Sequence, residues 1–211
     1  MKIKLKDVRL LYAGALFDPQ KGPNGEGEPK FSATFGFPPN HPVVAEIKAG
    51  FKAVAEAKWG AKAGEMFAML KAADKLCLHD GAAKGEREGY GGNLYLSASN
   101  KLKPLVCDNV AAPGTTTPKV IVATDGRVYS GCYVNATVEL WPMDNKWGKR
   151  INASLMGVQF ARDGQRLSGG GVSSVDDYEA IPEASAPAQA AGGGAAPATA
   201  AGGAPTVDPF A

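Results

Sequence analysis

Four aromatic residues stand close to cations between residues 95 and 150 of this chain: Tyr95, Tyr133, Trp141 and Trp147. Lys101 and Lys103 follow the first of them, and Lys149 and Arg150 follow the last. A ring on the polar side of a strand offers a flat apolar surface, and a nearby ammonium or guanidinium offers positive charge. That combination suits a ligand with exposed bases and phosphates, which is single-stranded nucleic acid. Each stacked base contributes roughly 1–3 kcal/mol whatever its sequence. A duplex hides its base faces, so the same rings gain little there. The competing reading is structural, because Tyr and Trp are common in strands and an outward ring can pack under a loop. Glu139, on the same strand face as Trp141, would repel phosphate.

Equipment for catalysis is sparse. There is no G-x-x-x-x-G-K-[ST] phosphate loop, and Gly169-Gly-Gly171 is followed by Val172 and Ser173 rather than Lys. A G-x-S-x-G elbow is also absent. Cys77-Leu-His79 could set two metal ligands on one side of a strand, but a zinc site needs two or more others, and none is grouped nearby in sequence. A turn role before Asp80-Gly81 is the simpler reading of His79, and His41 sits at a helix start. The carboxylate pairs Asp176-Asp177 and Glu86-x-Glu88 fall in loop-like sequence, where solvated charge is the usual explanation. The expectation is a protein that is not an enzyme, with no catalytic residue, no metal and no cofactor. Two alternatives stay open: a structural protein, and a metal-dependent nuclease whose carboxylates meet only in space.

The elements that must carry these rings can be read from periodicity. Lys2 to Lys6 alternates basic and apolar, a half-buried strand presenting three lysines that are weaker phosphate candidates. Residues 18–29, rich in Pro and Gly, form a loop. Phe31, Ala33, Phe35 and Phe37 share one side of a second strand, with Ser32 and Thr34 opposite. The Asn40-His41-Pro42 step starts a helix, with Asn suited to the cap and Pro tolerated in the first turn. Val43, Ile47, Phe51 and Val54 fall on one helical face, Gly60 stops the helix, and a shorter one covers Glu65 to Ala72. Further along, Leu94, Leu96 and Ala98 alternate with Tyr95, Ser97 and Ser99. Cys132, Val134, Ala136, Val138 and Leu140 make an apolar face, opposite Tyr133, Asn135, Thr137, Glu139 and Trp141. Asp144-Asn145-Lys146 reads as a turn into Arg150 to Arg162, and Asp163-Gly164 as a second hairpin turn. The expected fold is mainly β, a small barrel with a helical block at about 43–72.

Charge divides the chain in two. All 23 Lys and Arg residues lie at or before Arg166, and five of the 21 acidic groups lie beyond Val172. Residues 1–172 therefore carry 23 basic against 16 acidic groups, a formal charge near +7 that favours a polyanion. From about Pro182 the composition collapses to Ala, Gly and Pro, a disordered linker that cannot bury enough apolar surface to order itself. The expected boundaries are a folded domain at 1–178 and a tail at 179–211. The tail ends in Val-Asp-Pro-Phe-Ala, and Asp208 and Phe210 form either an acidic-aromatic docking peptide for a partner or a frayed end, with equal weight. Cys77, Cys107 and Cys132 are odd in number and form no C-x-x-C pair, which suits small buried side chains in a reducing compartment. No apolar stretch is long enough for a membrane span, and no membrane partner is expected.

Three stretches carry a resemblance. They are Val8-Arg-Leu-Leu-Tyr-Ala13 with Pro29-Lys-Phe-Ser-Ala-Thr-Phe35, Tyr129-Ser-Gly-Cys-Tyr-Val-Asn-Ala136, and Gly157-Val-Gln-Phe-Ala-Arg-Asp-Gly164 followed by Arg166-Leu-Ser-Gly-Gly-Gly171. With Trp59-Gly60, Leu78-His-Asp-Gly81 and Asp144-Asn145 in order, the chain from about residue 2 to Tyr178 resembles the single-stranded-DNA-binding proteins of tailed bacteriophages. That group has an OB fold and was long known as a phage domain of unknown function. The resemblance implies an OB-fold-like Greek-key barrel and sequence-independent binding of single-stranded DNA. It also implies a role in phage DNA replication or recombination in the cytoplasm of the infected bacterial host. Phage or host replication and recombination proteins would then be the tail's partners, and the structural alternative becomes a virion-associated protein. An RNA binder of the same fold is a nearer rival. The resemblance does not assign DNA-contacting residues, and oligomeric state stays open, a dimer among the options. OB barrels usually carry their helix between the third and fourth strands. Here the helical block follows the second clear strand, so either a strand is hidden or the helices are an insertion.

Overall fold

Strand β1 (Lys2–Gln20) begins with the alternation expected of it: Ile3 and Leu5 are buried, while Lys2, Lys4 and Lys6 are exposed. The alternation breaks at Asp7, whose φ of 49° marks a bulge between Leu5 and Val8. Beyond it the strand continues to Gln20, so residues 18–20, expected in a loop, belong to β1. The computed structural model describes residues 1–22, 24–146 and 148–167, and these fall within a unit that spans Met1–Val172. The tail at 179–211 with Asp208 and Phe210, the 178 boundary and Trp147 lie outside the described residues.

Strand β2 (Lys30–Phe37) buries Phe31, Ala33, Phe35 and Phe37 and turns Ser32 and Thr34 outward. Helix α1 (Val43–Trp59) follows. Its N-cap position is Pro42 and not Asn40, and the Val43 N–H donates to His41 Nδ1 at 3.2 Å. Gly60, at φ 53°, ends it as expected, its N–H donating to the Glu56 carbonyl. Helix α2 (Ala63–Ala72) starts two residues before Glu65. The apolar face of α1 caps one end of the barrel. A Cβ at Gly50 would stand 2.9 Å from both Ile3 Cδ1 and Leu140 Cδ1, so glycine permits the close approach there.

The chain continues through β3 (Leu78–Asp80), β4 (Leu94–Asn100), β5 (Leu105–Ala111), β6 (Pro118–Val120), β7 (Tyr133–Asn145) and β8 (Gly148–Arg162). They form one sheet in the order β3-β4-β2-β1-β7-β8-β5-β6, with β5 parallel to β8 and the other pairs antiparallel. The sheet closes on itself where β4 meets β8. There Asn100 Nδ2 donates to the Leu155 carbonyl at 3.0 Å. A strip at Lys75–Cys77 fills the rest of the seam: Ile151 N–H donates to the Lys75 carbonyl, and Ser97 N–H to the Cys77 carbonyl. The barrel strands are thus β1, β2, β4, β8 and β7 in cyclic order, which is the strand order of an OB fold. The helices sit between its second and third strands. The misplacement seen in the sequence is an insertion, not a hidden strand.

One expected turn is corrected. Asp163-Gly164 joins no hairpin among the described residues; after β8 the chain folds back so that Leu167 N–H donates to the Ser130 carbonyl. Tyr129 fixes that return, its hydroxyl donating to Asp163 Oδ1 at 2.9 Å and accepting from the Gly164 N–H at 3.1 Å.

Candidate nucleic-acid interface

The outward side chains of β2 and β4 make a floor of hydroxyls: Ser32 and Thr34 on one strand, Ser97 and Ser99 on the other. Over this floor lies a groove of about 790 Å3. One wall is the β7–β8 hairpin, contributing Trp141, Met143, Arg150 and Asn152. The other is the segment after α2, contributing Asp74, Lys75 and His79. Tyr12 and Lys30 continue the groove into an adjoining hollow lined by Lys21, Glu26 and Glu28 of the β1–β2 loop. An OB fold binds oligonucleotides across its second and third strands, between the loop joining strands 1 and 2 and the loop joining strands 4 and 5. The groove occupies that position: β2 and β4 are those strands, and the β1–β2 and β7–β8 connections flank them.

Three of the residues singled out from sequence meet here: Lys101, Trp141 and Arg150. Trp141 is 40% exposed and faces Asn152 across the hairpin. Arg150 lies opposite Met143, and its buried Nε has no hydrogen-bond acceptor among the described residues. Lys101 is ion-paired with Glu28, and this contact holds the Glu28 carboxyl below the usual carboxylate range. Phosphate must compete with Glu28 for Lys101; Lys30 also acts on the Glu28 charge but makes no ion pair among the described residues.

The other candidates among the described residues do not line the groove. Tyr95 is on its side of the sheet, but it is covered rather than open, at 7% exposure. His79 stacks on its ring at 5.1 Å and 25°, and Tyr90 meets it edge-on at 5.2 Å. Burial, and then the Asp74 carboxylate, push the Tyr95 hydroxyl pKa up. The ring that reaches the groove is His79, whose Nδ1 bonds Asp74 Oδ1 at 2.8 Å. Tyr133 shares a strand face with Trp141 but lies eight residues away, about 27 Å along the strand. The Arg162 guanidinium stands 3.4 Å from its ring centroid, held there by Asp7 at 2.8 and 3.0 Å. Lys149 falls on the opposite face of the hairpin, 3.3 Å from Asp144, which also accepts from Trp59 Nε1 at 3.0 Å. Lys103 is exposed on the loop after β4 and does not line the groove.

Sequence reasoning missed Tyr12, Lys30 and His79. Tyr12, 39% exposed, lies over Gly14, where a Cβ would come within 2.8 Å of the phenol oxygen. The Tyr-x-Gly spacing was the available signal. The hydroxyl floor was visible as the polar side of the Phe31–Phe37 alternation. Burial pushes the Cys77 thiol up to about 12, which keeps it protonated at neutral pH. Replacing Tyr95 by Ala is expected to cost about 3 kcal/mol of stability, as for other buried aromatics. Urea unfolding measures it, and a loss below about 1 kcal/mol would put Tyr95 back among the free rings.

The sequence profile of the family described as "Enterobacter phage Enc34, ssDNA-binding protein" matches residues 1–188. The chain belongs to this family. The match passes Tyr178, where the resemblance read from sequence ended, and takes in the first residues of the tail. A phage relative, "Putative protein p50" of Acyrthosiphon pisum secondary endosymbiont phage 1, is 48% identical over 182 residues, covering 85% of this chain and 93% of its own. Among solved structures, the single-stranded DNA-binding protein from bacteriophage Enc34 in complex with ssDNA is similar at a TM-score of 0.61 and 24% identity. It covers 78% of this chain and 88% of its own. A C-terminal truncation of the Enc34 protein is similar at a TM-score of 0.57 and 25% identity, over 79% of this chain and 88% of that one. These structural likenesses bear on the barrel and its insertion. No helix among the described residues is long and apolar enough to cross a membrane.

Proposed function

We propose that this protein binds single-stranded DNA without reading its sequence, with the strand lying in the groove over β2 and β4. Trp141 stacks a base, Lys30 and Arg150 neutralise phosphates, and Lys101 joins them once phosphate displaces Glu28. The hydroxyl floor accepts and donates along the backbone without demanding a particular base. The observation that carries this reading is the convergence of an exposed Trp, cations and hydroxyls on the face that OB folds use, in a family described by ssDNA binding. Occupancy is the whole mechanism: a coated strand neither anneals nor meets nucleases, and the protein is not an enzyme. Its setting is phage DNA replication or recombination in the host cytoplasm. Recruitment of a replication protein through Asp208 and Phe210 rests on the sequence of the tail alone.

Tryptophan fluorescence titrated with a thymine homopolymer and with a matched duplex, without metal and at two salt concentrations, tests the reading. The single strand is expected to quench at both salts, and the duplex to respond weakly and be lost as salt rises. An equal and wholly salt-sensitive response to both would leave only a basic surface and bring forward the structural alternative. Degradation of the strand on adding magnesium or manganese would bring forward the nuclease.

A further inference from the structure

The outer face of β1, β7 and β8 continues past the groove. Residues directly opposite on neighbouring strands project to the same side, so the pairing registers lay out successive rows. Trp141 faces Asn152; next, Lys2 faces Glu139, which faces Ser154; next, Lys4 faces Thr137, which faces Gly157. Asn152 and Ser154 line the groove already described. Lys4, Thr137 and Gly157 line a second hollow of about 340 Å3, together with Lys6, Asn135 and Gln159. The two hollows are therefore consecutive stations on one strand face, separated by the single Lys2–Glu139–Ser154 row. Lys2 stands opposite the one acid there, and neither Lys4 nor Lys6 has an ion pair among the described residues. Asn135 and Gln159 are joined at 3.2 Å, and Gln159 Nε2 also donates to the Asp108 carbonyl at 3.3 Å, so this polar end is fixed.

We propose that this second hollow is an extension subsite for the same DNA strand, with Lys4 and Lys6 binding the phosphates of nucleotides that run beyond Trp141. The occupant is a single-stranded polyanion because the hollow continues the first groove and offers two lysine charges that have no ion pair among the described residues. The extension rests on the function proposed above. It also predicts a footprint larger than the first groove can hold. Asn152 and Gln159 are seven residues apart, about 23 Å along β8. Site sizes for OB folds run from roughly 4 to 16 nucleotides, so a strand of about 5 fills the first groove while one of about 15 reaches both.

The test compares thymine oligonucleotides of 5 and 15 residues on the full chain and on Lys4→Gln/Lys6→Gln. Losing two phosphate contacts should lower the salt slope for the longer strand by about 1.4, and its affinity at 0.1 M salt about 25-fold. Affinity for the shorter strand should change less than twofold. Lys4→Arg/Lys6→Arg, which keeps the charge, should restore the longer strand. Equal losses on both lengths would reduce the lysines to general surface charge, and no loss on either would remove the subsite; each overturns the extension alone. A wild-type protein that binds neither length overturns the binding function itself.

Discussion

Trp141→Ala is expected to weaken binding of a fluorescently labelled thymine oligonucleotide by more than tenfold, read by anisotropy at constant salt, while the thermal midpoint stays close to wild type. That size lies within what stacking of one base allows, roughly 1–3 kcal/mol, or about 5- to 150-fold in affinity. The fold should tolerate the change because Trp141 is 40% exposed on the outside of the hairpin and is absent from the barrel core. Trp59→Phe serves as the contrast. Trp59 hydrogen-bonds Asp144 on the other face of the hairpin, so its replacement should leave affinity within twofold. An affinity loss below twofold for Trp141→Ala would mean that the exposed ring does not stack on DNA, and Tyr12 and His79 would be the groove rings left to test.

Parity carried much of the fold. The alternations at Phe31–Phe37, Leu94–Ala98 and Cys132–Leu140 each predict which side faces the core, and those apolar residues are buried there apart from Leu94, which is half-buried. What parity could not show is where it changes. The Asp7 bulge flips β1 midway and hides the length of that strand. Strands β3 and β6 have three residues each, too short for a periodic signal. The seam at Lys75–Cys77 depends on backbone groups, which leave no mark in the side-chain pattern.

The site was legible by the same rule and failed where that rule stops. Alternation assigns a residue to a face, but it does not say what covers that face or how far apart two residues on it lie. Tyr95 faces the groove side and is roofed by His79, which arrives from a three-residue strand. Tyr133 and Trp141 share a face but stand at opposite ends of a long strand, one beneath Arg162 and the other on the groove. Lys149 and Arg150 are adjacent in sequence and point to opposite faces of the hairpin, as the two-residue strand period requires. Adjacency to a ring was therefore a poor guide to which cations would meet it.

That distinction sets the second large effect. Lys30→Gln/Arg150→Gln removes two groove cations that have no ion pair among the described residues. Each phosphate contact on a single strand contributes about 0.7 to the slope of log affinity against log salt, so the double variant should flatten that slope by about 1.4. Extrapolated from a 1 M reference, the same term is worth about 25-fold in affinity at 0.1 M salt, and the difference should shrink as salt rises. Lys149→Gln, on the opposite face and paired with Asp144, should leave the slope unchanged. Lys101→Gln should fall between these limits, because phosphate gains Lys101 only by releasing Glu28. If the double variant lost affinity at an unchanged slope, Lys30 and Arg150 would be shaping the groove rather than neutralising phosphate. If Lys149→Gln flattened the slope as much, the strand would run along the Trp59 side of the hairpin and the groove would be the wrong face.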